Sequence, residues 1–123
     1  MRYVQLKADN AGESHFVQAT LDLNEADYRP PAPLLFVSHN YPADGLQFIR
    51  FPSGWAGDSI HPPKAQFLIC LKGHLEVTAS DGHKRTFAPG DSVLMEDVSG
   101  KGHRTRVKGA EECIAAVIPI ASR

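Results

Sequence analysis

The chain has 123 residues, 42% of them hydrophobic, and a formal net charge of −1. That length suits one domain, residues 1–123, with apolar material for a single core. The interleaved charges form no basic stripe for nucleic acid, Met1-Arg2-Tyr3-Val4-Gln5 lacks the apolar stretch of a signal peptide, and no apolar run is long enough to span a membrane, so a cytoplasmic protein is expected.

Turn signals recur along the chain and separate short strands. Residues 1–45 read as N-terminal strands and loops, and 46–119 as the core of a barrel. Asn24-Glu-Ala-Asp27 and Arg29-Pro-Pro-Ala-Pro33 break the first part, leaving strands predicted at 15–23 and 34–39. Tyr41-Pro-Ala-Asp-Gly45 leads into a strand at 46–51, which Pro52-Ser-Gly54 ends. Further strands are predicted at 65–71, 75–79, 84–88, 92–96, 103–107 and 112–119. Ser80-Asp81-Gly82 joins two of them, because Asp-Gly supplies the positive φ values of a tight hairpin. Nine prolines, and no sustained 3.6-residue period, argue against long helices. Hairpins in series make an all-β sheet that must close or fold over itself to hide its edges.

Alternation assigns the faces of these strands. In 65–71, Gln66, Leu68 and Cys70 point one way and Phe67, Ile69 and Leu71 the other. Both sets are apolar, so the strand is expected to be covered on both sides. One cover is the barrel interior. The other is either the N-terminal strands or a second subunit, and a homodimer is the expectation. In 103–107, Arg104 and Arg106 share the face that wants water, so His103 points inward with Thr105 and Val107. Cys70 and Cys113 lie in apolar runs without C-x-x-C spacing and read as small buried hydrophobes.

The most specific signal is His61-Pro-Pro-Lys-Ala-Gln66 followed by Gly73, then Pro89-Gly90-Asp91, then Gly100-Lys-Gly-His103. This arrangement resembles the two motifs of the cupin superfamily over residues 51–107. The first motif runs from a glycine through H-x-H to a glutamate and a second glycine. His61 fits its second histidine, Gln66 its glutamate and Gly73 its last glycine. Its first histidine falls at Ser59, and its opening glycine fits Gly54 one residue out of register. In the second motif Gly90 fits the first glycine, while Glu96, Val98 and Val107 replace its proline, second glycine and asparagine. His103 arrives two residues late, so the loop before it is longer.

The resemblance implies a single-domain jelly-roll β-barrel with a small-molecule site inside. Cupins often hold one metal ion on three imidazoles and a carboxylate. Here the corresponding donors are His61, Gln66 and His103, which would take one divalent ion, zinc, iron, manganese or nickel. Two of the four ligand positions are changed, and the only anionic ligand is lost. Besides a subunit whose role is mainly assembly, two functions follow. One is a metal-dependent enzyme acting on a small oxygenated or acidic substrate. The other is a non-catalytic binding or sensor module whose metal site has decayed.

Three further residues belong to this site on the same reading. Glu96 shares a face with Ser92 and Leu94. If that face is inward, it is a candidate catalytic carboxylate with a pKa raised by burial; otherwise it is a strand-end residue in solvent. Asp97 then alternates outward and shapes the loop. Trp55, just before the first motif, either stacks on a ligand at the barrel mouth or anchors its loop. Lys101, between two glycines, either offers a backbone N–H to an anionic ligand or belongs to a flexible rim. Ser99-Gly-Lys-Gly102 lacks the other features of a nucleotide-binding loop. Tyr28, Tyr41 and Arg50 are further rim or cavity candidates.

Overall fold

The computed structural model describes residues 1–26 and 31–121, with the side chains of Ser59 and Ile60 left aside. Tyr28 lies outside the described residues, as do Asp27 and Arg29 of the expected breaks. In chain order the strands are β1 (Arg2–Ala8), β2 (Ser14–Thr20), β3 (Asn24–Ala26), β4 (Leu35–Val37), β5 (Gln47–Phe51) and β6 (Ala56–Ile60). They continue with β7 (Gln66–Lys72), β8 (Leu75–Ala79), β9 (Lys84–Phe87), β10 (Ser92–Glu96), β11 (His103–Val107) and β12 (Cys113–Pro119). The described residues contain no helix, so none is long and apolar enough to cross a membrane.

Two sheets enclose the core. One has six strands in the order β2-β1-β10-β7-β12-β5, and the other four in the order β6-β11-β8-β9. The pair β3-β4 stands apart. The fold is all-β, as the sequence implies. Its core joins Val4, Leu6, Leu68, Cys70, Val93, Met95, Ala115 and Val117 from the larger sheet to Leu75, Val77, Phe87 and Val107 from the smaller. These are alternate residues of their strands, as a two-layer β structure requires.

Turn chemistry sets the register. In the β1–β2 turn, Asp9 Oδ1 accepts from the backbone N–H of Ala11 and of Glu13 at 2.9 and 3.0 Å. In the β9–β10 turn, Asp91 Oδ2 accepts from the Ala88 N–H at 2.8 Å. The same turn is stitched to β7: Gly90 N–H donates to Cys70 O at 2.8 Å, and Cys70 N–H to Asp91 O at 2.9 Å. The Pro-Gly-Asp sequence is thus a turn that passes from one sheet to the other, docked on the strand that carries Gln66. Gly73 has φ +74°, and a Cβ there would stand 2.2 Å from the Glu112 carbonyl oxygen, so glycine alone fits between β7 and β8.

Three elements differ from the sequence reading. β1 and β6 were not foreseen, and β3 covers part of an expected break. β1 does alternate, with Val4 and Leu6 inward and Tyr3, Gln5 and Lys7 outward, but it pairs parallel with β10 through no hairpin that could signal it. β6 contains Gly57 and Asp58, poor strand formers, and is held by its pairing with β11.

Cys70 and Cys113 are fully buried free thiols in neighbouring strands. Burial, and then the adjacent Cys70, push the Cys113 thiol up to about 12. At neutral pH both behave as small apolar side chains.

Candidate functional site

Strand pairing gathers the motif segments at one end of the two sheets. On β11, His103 lies opposite Ala79, the last residue of β8, and opposite Ile60, the last residue of β6. His61 is the next residue along. On the larger sheet, Gln66 at the start of β7 lies opposite Met95 near the end of β10. Asp97 follows β10 directly.

His103 points inward, as its alternation with Arg104 and Arg106 predicts. It is 7% exposed. Its Nδ1 lies 2.6 Å from Asp97 Oδ2, and Asp97 is completely buried. The other carboxylate oxygen, Asp97 Oδ1, has no hydrogen-bond partner among the described residues. A buried carboxylate left half satisfied costs on the order of 1–3 kcal/mol.

Asp97, not Glu96, is the fully buried carboxylate at the end of β10. The face of Ser92, Leu94 and Glu96 is the outer one, because Val93 and Met95 pair with Val4 and Leu6 on the core side. Glu96 pairs in register with Lys7 and lines a separate pocket with Asp44, Lys64 and Val98. The condition for an interior Glu96 is therefore not met, and Asp97, expected outward, is interior.

His103 lines a pocket of about 510 Å³ with Thr78, Ala79, Ser80, Gly82, Lys101 and Arg104. No carboxylate is among the lining residues. The rim is a polar knot centred on Ser14, which is fully buried. Ser14 Oγ donates to Gly102 O at 2.7 Å and accepts from the Ser80 N–H at 2.7 Å. Ser14 N–H donates to Ser80 Oγ at 2.7 Å. Lys101 N–H donates to Gly12 O at 2.8 Å, and Lys101 Nζ pairs with Glu13 Oε2 at 2.6 Å. The backbone N–H of Lys101 is thus already used, and its side chain is paired with Glu13.

Gln66 is half-buried on the inner face, alternating with Leu68 and Cys70. His61 is exposed, and its Nδ1 lies 3.3 Å from the carbonyl oxygen of Pro62. Trp55 is half-buried against the core, with its ring 4.9 Å from Phe51 at a steep angle. It lies across Gly57, where a Cβ would meet the indole at 2.6 Å. Trp55 therefore packs at the base of β6 and does not line the pocket of His103. Tyr41 packs edge-on against Phe67 with ring centres 5.0 Å apart, and Arg50 pairs with Glu112 at 3.2 Å.

A family model described as the cupin domain matches residues 47–119, which is 73 of the 123 residues. The chain is a member of the cupin family. Among solved structures, a cupin domain from Bordetella pertussis Tohama I superposes on this cupin with a TM-score of 0.51 at 16% identity, covering 69% of this chain and 100% of that one. A cupin-2 domain-containing protein from Shewanella frigidimarina NCIMB 400 gives a TM-score of 0.47 at 18% identity, covering 62% and 69%. No curated protein matches the chain.

The donor set of this cupin meets a metal ion's needs only in part. Among the described residues no three His, Cys, Asp or Glu side chains are grouped to hold an ion. His103 is buried and oriented and Gln66 stands on the inner face, but His61 is turned out to solvent. As it stands, the set lacks both a second inward imidazole and an anionic ligand.

Ser14, Ser80 and Asp97 escaped the sequence reading. Ser14 and Ser80 carry no sequence signal beyond a hydroxyl beside a turn. Asp97 does carry one: it alternates with Val93 and Met95, and the phase of that alternation is settled once β1 is known.

Proposed function

We propose that this cupin binds a small anionic or oxygenated molecule in the pocket beside His103. The observation that carries the reading is a pocket whose charged lining, Lys101 and Arg104, is cationic, at the end of the sheets where His103 is buried. Lys101 and Arg104 would attract a carboxylate or similar anion, and Ser80 adds a polar group. A direct test is titration with small carboxylic acids followed by NMR. Amide shifts confined to 78–82 and 101–104, and lost in Lys101→Ala, are the expected result. Shifts spread evenly over the surface would refute the site.

The finer version of this reading places a divalent ion on His61, Gln66 and His103. Its support is the buried His103, held by Asp97, and the inward Gln66. It requires His61 to turn inward, and the binder reading does not. Metal analysis of tag-free protein separates them. Stoichiometric metal that is lost in both His61→Ala and His103→Ala establishes the metal site and opens the enzymatic reading. Metal undiminished in His61→Ala eliminates this donor set, and metal-free protein favours the non-catalytic binder.

A further inference from the structure

We infer that Arg2 and Arg85 form a second anion site, one for a phosphate group, in a cleft at the other end of β10 from Asp97. The site is separate from the pocket beside His103 and does not depend on it.

Alternation and register place both arginines on inward faces. In β1, Val4 and Leu6 belong to the core, so Arg2, two residues before Val4, shares their face. In β9, Phe87 belongs to the core, so Arg85, two residues before it, shares that face. The register agrees, because Arg85 lies opposite Val77, a core residue of β8. β1 is part of the larger sheet and β9 is the last strand of the smaller, so the two arginines stand on faces turned toward each other. They line one cleft of about 250 Å³, together with Val4, Gln18, Phe87 and Asp91. Both arginines are exposed, so the cleft is open to a ligand from solvent.

Their lack of partners sets these two apart. Arg50 pairs with Glu112 and Arg106 with Glu76, and Arg104 is engaged as well. The guanidinium groups of Arg2 and Arg85 have no ion pair or hydrogen bond among the described residues. Gln18 lies opposite Val4, on the same inner face, and its side-chain amide is likewise unpartnered among them. Asp91 is the one carboxylate of the lining, and its Oδ2 already accepts from the Ala88 N–H. Two cations on facing sheets repel, and an anion bound between them turns that repulsion into two attractions. A cleft whose charge is mainly of one sign also concentrates the opposite ion. The ligand class follows from the donors. A guanidinium presents two parallel N–H groups to one oxyanion. A phosphate, with three acceptor oxygens and close to two charges, serves two such forks and the Gln18 amide. A carboxylate, with two oxygens and one charge, serves them less well.

The experiment is an NMR titration with inorganic phosphate at about pH 8, where the phosphate dianion prevails. Sodium chloride at matched ionic strength is the control. Saturating amide shifts are expected at 2–4, 18, 85–87 and 90–92, a set that does not overlap 78–82 and 101–104 beside His103. Arg2→Gln and Arg85→Gln should each weaken phosphate binding about tenfold. Lys84→Gln removes a neighbouring charge from the other face of β9 and should leave binding unchanged. Acetate should bind about tenfold more weakly than phosphate. Equal shifts in chloride, or undiminished binding in Arg85→Gln, overturn the site. So does a loss in Lys84→Gln as large as that in Arg85→Gln, which would mean diffuse surface charge. Acetate binding as tight as that of phosphate overturns the phosphate class. Glycerol phosphate distinguishes the sources: tighter binding than inorganic phosphate assigns the site to a phosphate ester, weaker binding assigns it to the free ion, and either upholds it.

Discussion

Gly100 shows how much the rim of the pocket depends on single atoms. Its φ is +81°, and a Cβ built there would stand 2.4 Å from the Gly12 carbonyl oxygen and 2.6 Å from the Gly12 Cα. Both are backbone atoms, so no side chain can swing away to relieve the contact. The β1–β2 turn and the loop before His103 can touch only because both residues are glycines, and that touch brings Lys101 N–H to Gly12 O. Gly100→Ala should lower stability by roughly 2–4 kcal/mol, combining the left-handed penalty with overpacking. Gly109→Ala is the matched control: its φ is +89° with nothing within 4 Å, so it should cost only the backbone penalty of about 1–2 kcal/mol. Urea unfolding midpoints of the two variants check the difference. Equal losses would mean that the Gly12–Gly100 contact is not maintained in solution.

At the scale of elements, the β1–β2 turn of one sheet and the β8–β9 turn of the other are joined through His15. Its Nε2 lies 2.7 Å from Asp9 Oδ2 and its Nδ1 2.8 Å from Asp81 Oδ2. Both ring nitrogens can donate only in the imidazolium, so the bridge is complete only when His15 is charged. Asp9 first, and Asp81 second, raise the His15 pKa above its ordinary 6.5. His15 in turn holds Asp9 below its ordinary 3.8, while the His83 backbone N–H, more than His15, holds Asp81 below the same value. Other charged groups nearby are His83, 3.2 Å from Asp81, Lys7, opposite His15 in register, Lys101, which interacts with Asp9, and Glu13, which pairs with Lys101. For the histidine, a raised folded pKa gives stability that is full below about 6.5 and lost as pH rises through the raised value. For the two aspartates, lowered values give stability present above about 3.8 and lost as pH falls through them. The bridge therefore acts fully between those limits. The stability difference between wild type and His15→Gln should be greatest there and fade at alkaline pH, by a small amount because His15 is 41% exposed. A pH series of urea midpoints measures it. A His15 NMR titration centred at or below 6.5 would show the bridge absent.

The same scale explains what the sequence could reveal. Strands β8, β10 and β11 were readable to the residue, because Asp81-Gly82 and Pro89-Gly90-Asp91 punctuate them and alternation fills them. The inward turn of His103 was readable because Arg104 and Arg106 demand water. The phase of β10 was not readable. Val93, Leu94 and Met95 are all apolar and all buried, so neither face declares itself. β1 decides it by placing Val4 and Leu6 beside Val93 and Met95. A parallel partner far away in sequence leaves no local trace, and without it the inward position could not be decided between Glu96 and Asp97.

For the whole molecule, the open question is what covers the outer face of the six-stranded sheet. The chain covers part of that face itself. Tyr3 and Tyr41 pack on Phe67 at ring-centre distances of 6.1 and 5.0 Å, and Leu94 is fully buried. Toward β5 the cover ends. Phe48 points outward and is 68% exposed, and Leu71 is 48% exposed. Leu46 and Phe36 also stand exposed, at 55% and 64%. β5 is the last strand of its sheet, so its free edge adds unpaired backbone groups to this apolar surface. Monomers seldom leave such a combination open to water. We propose that a second copy covers it. A two-fold pairing sets the same apolar surface of each copy against the other, and two-fold dimers are the commonest assemblies. Phe48 would lie near the centre of the contact. Sedimentation equilibrium at micromolar concentration should give the mass of a dimer, and Phe48→Asp should give a folded monomer with an unchanged far-ultraviolet spectrum. A monomer mass for the wild-type chain would overturn the dimer.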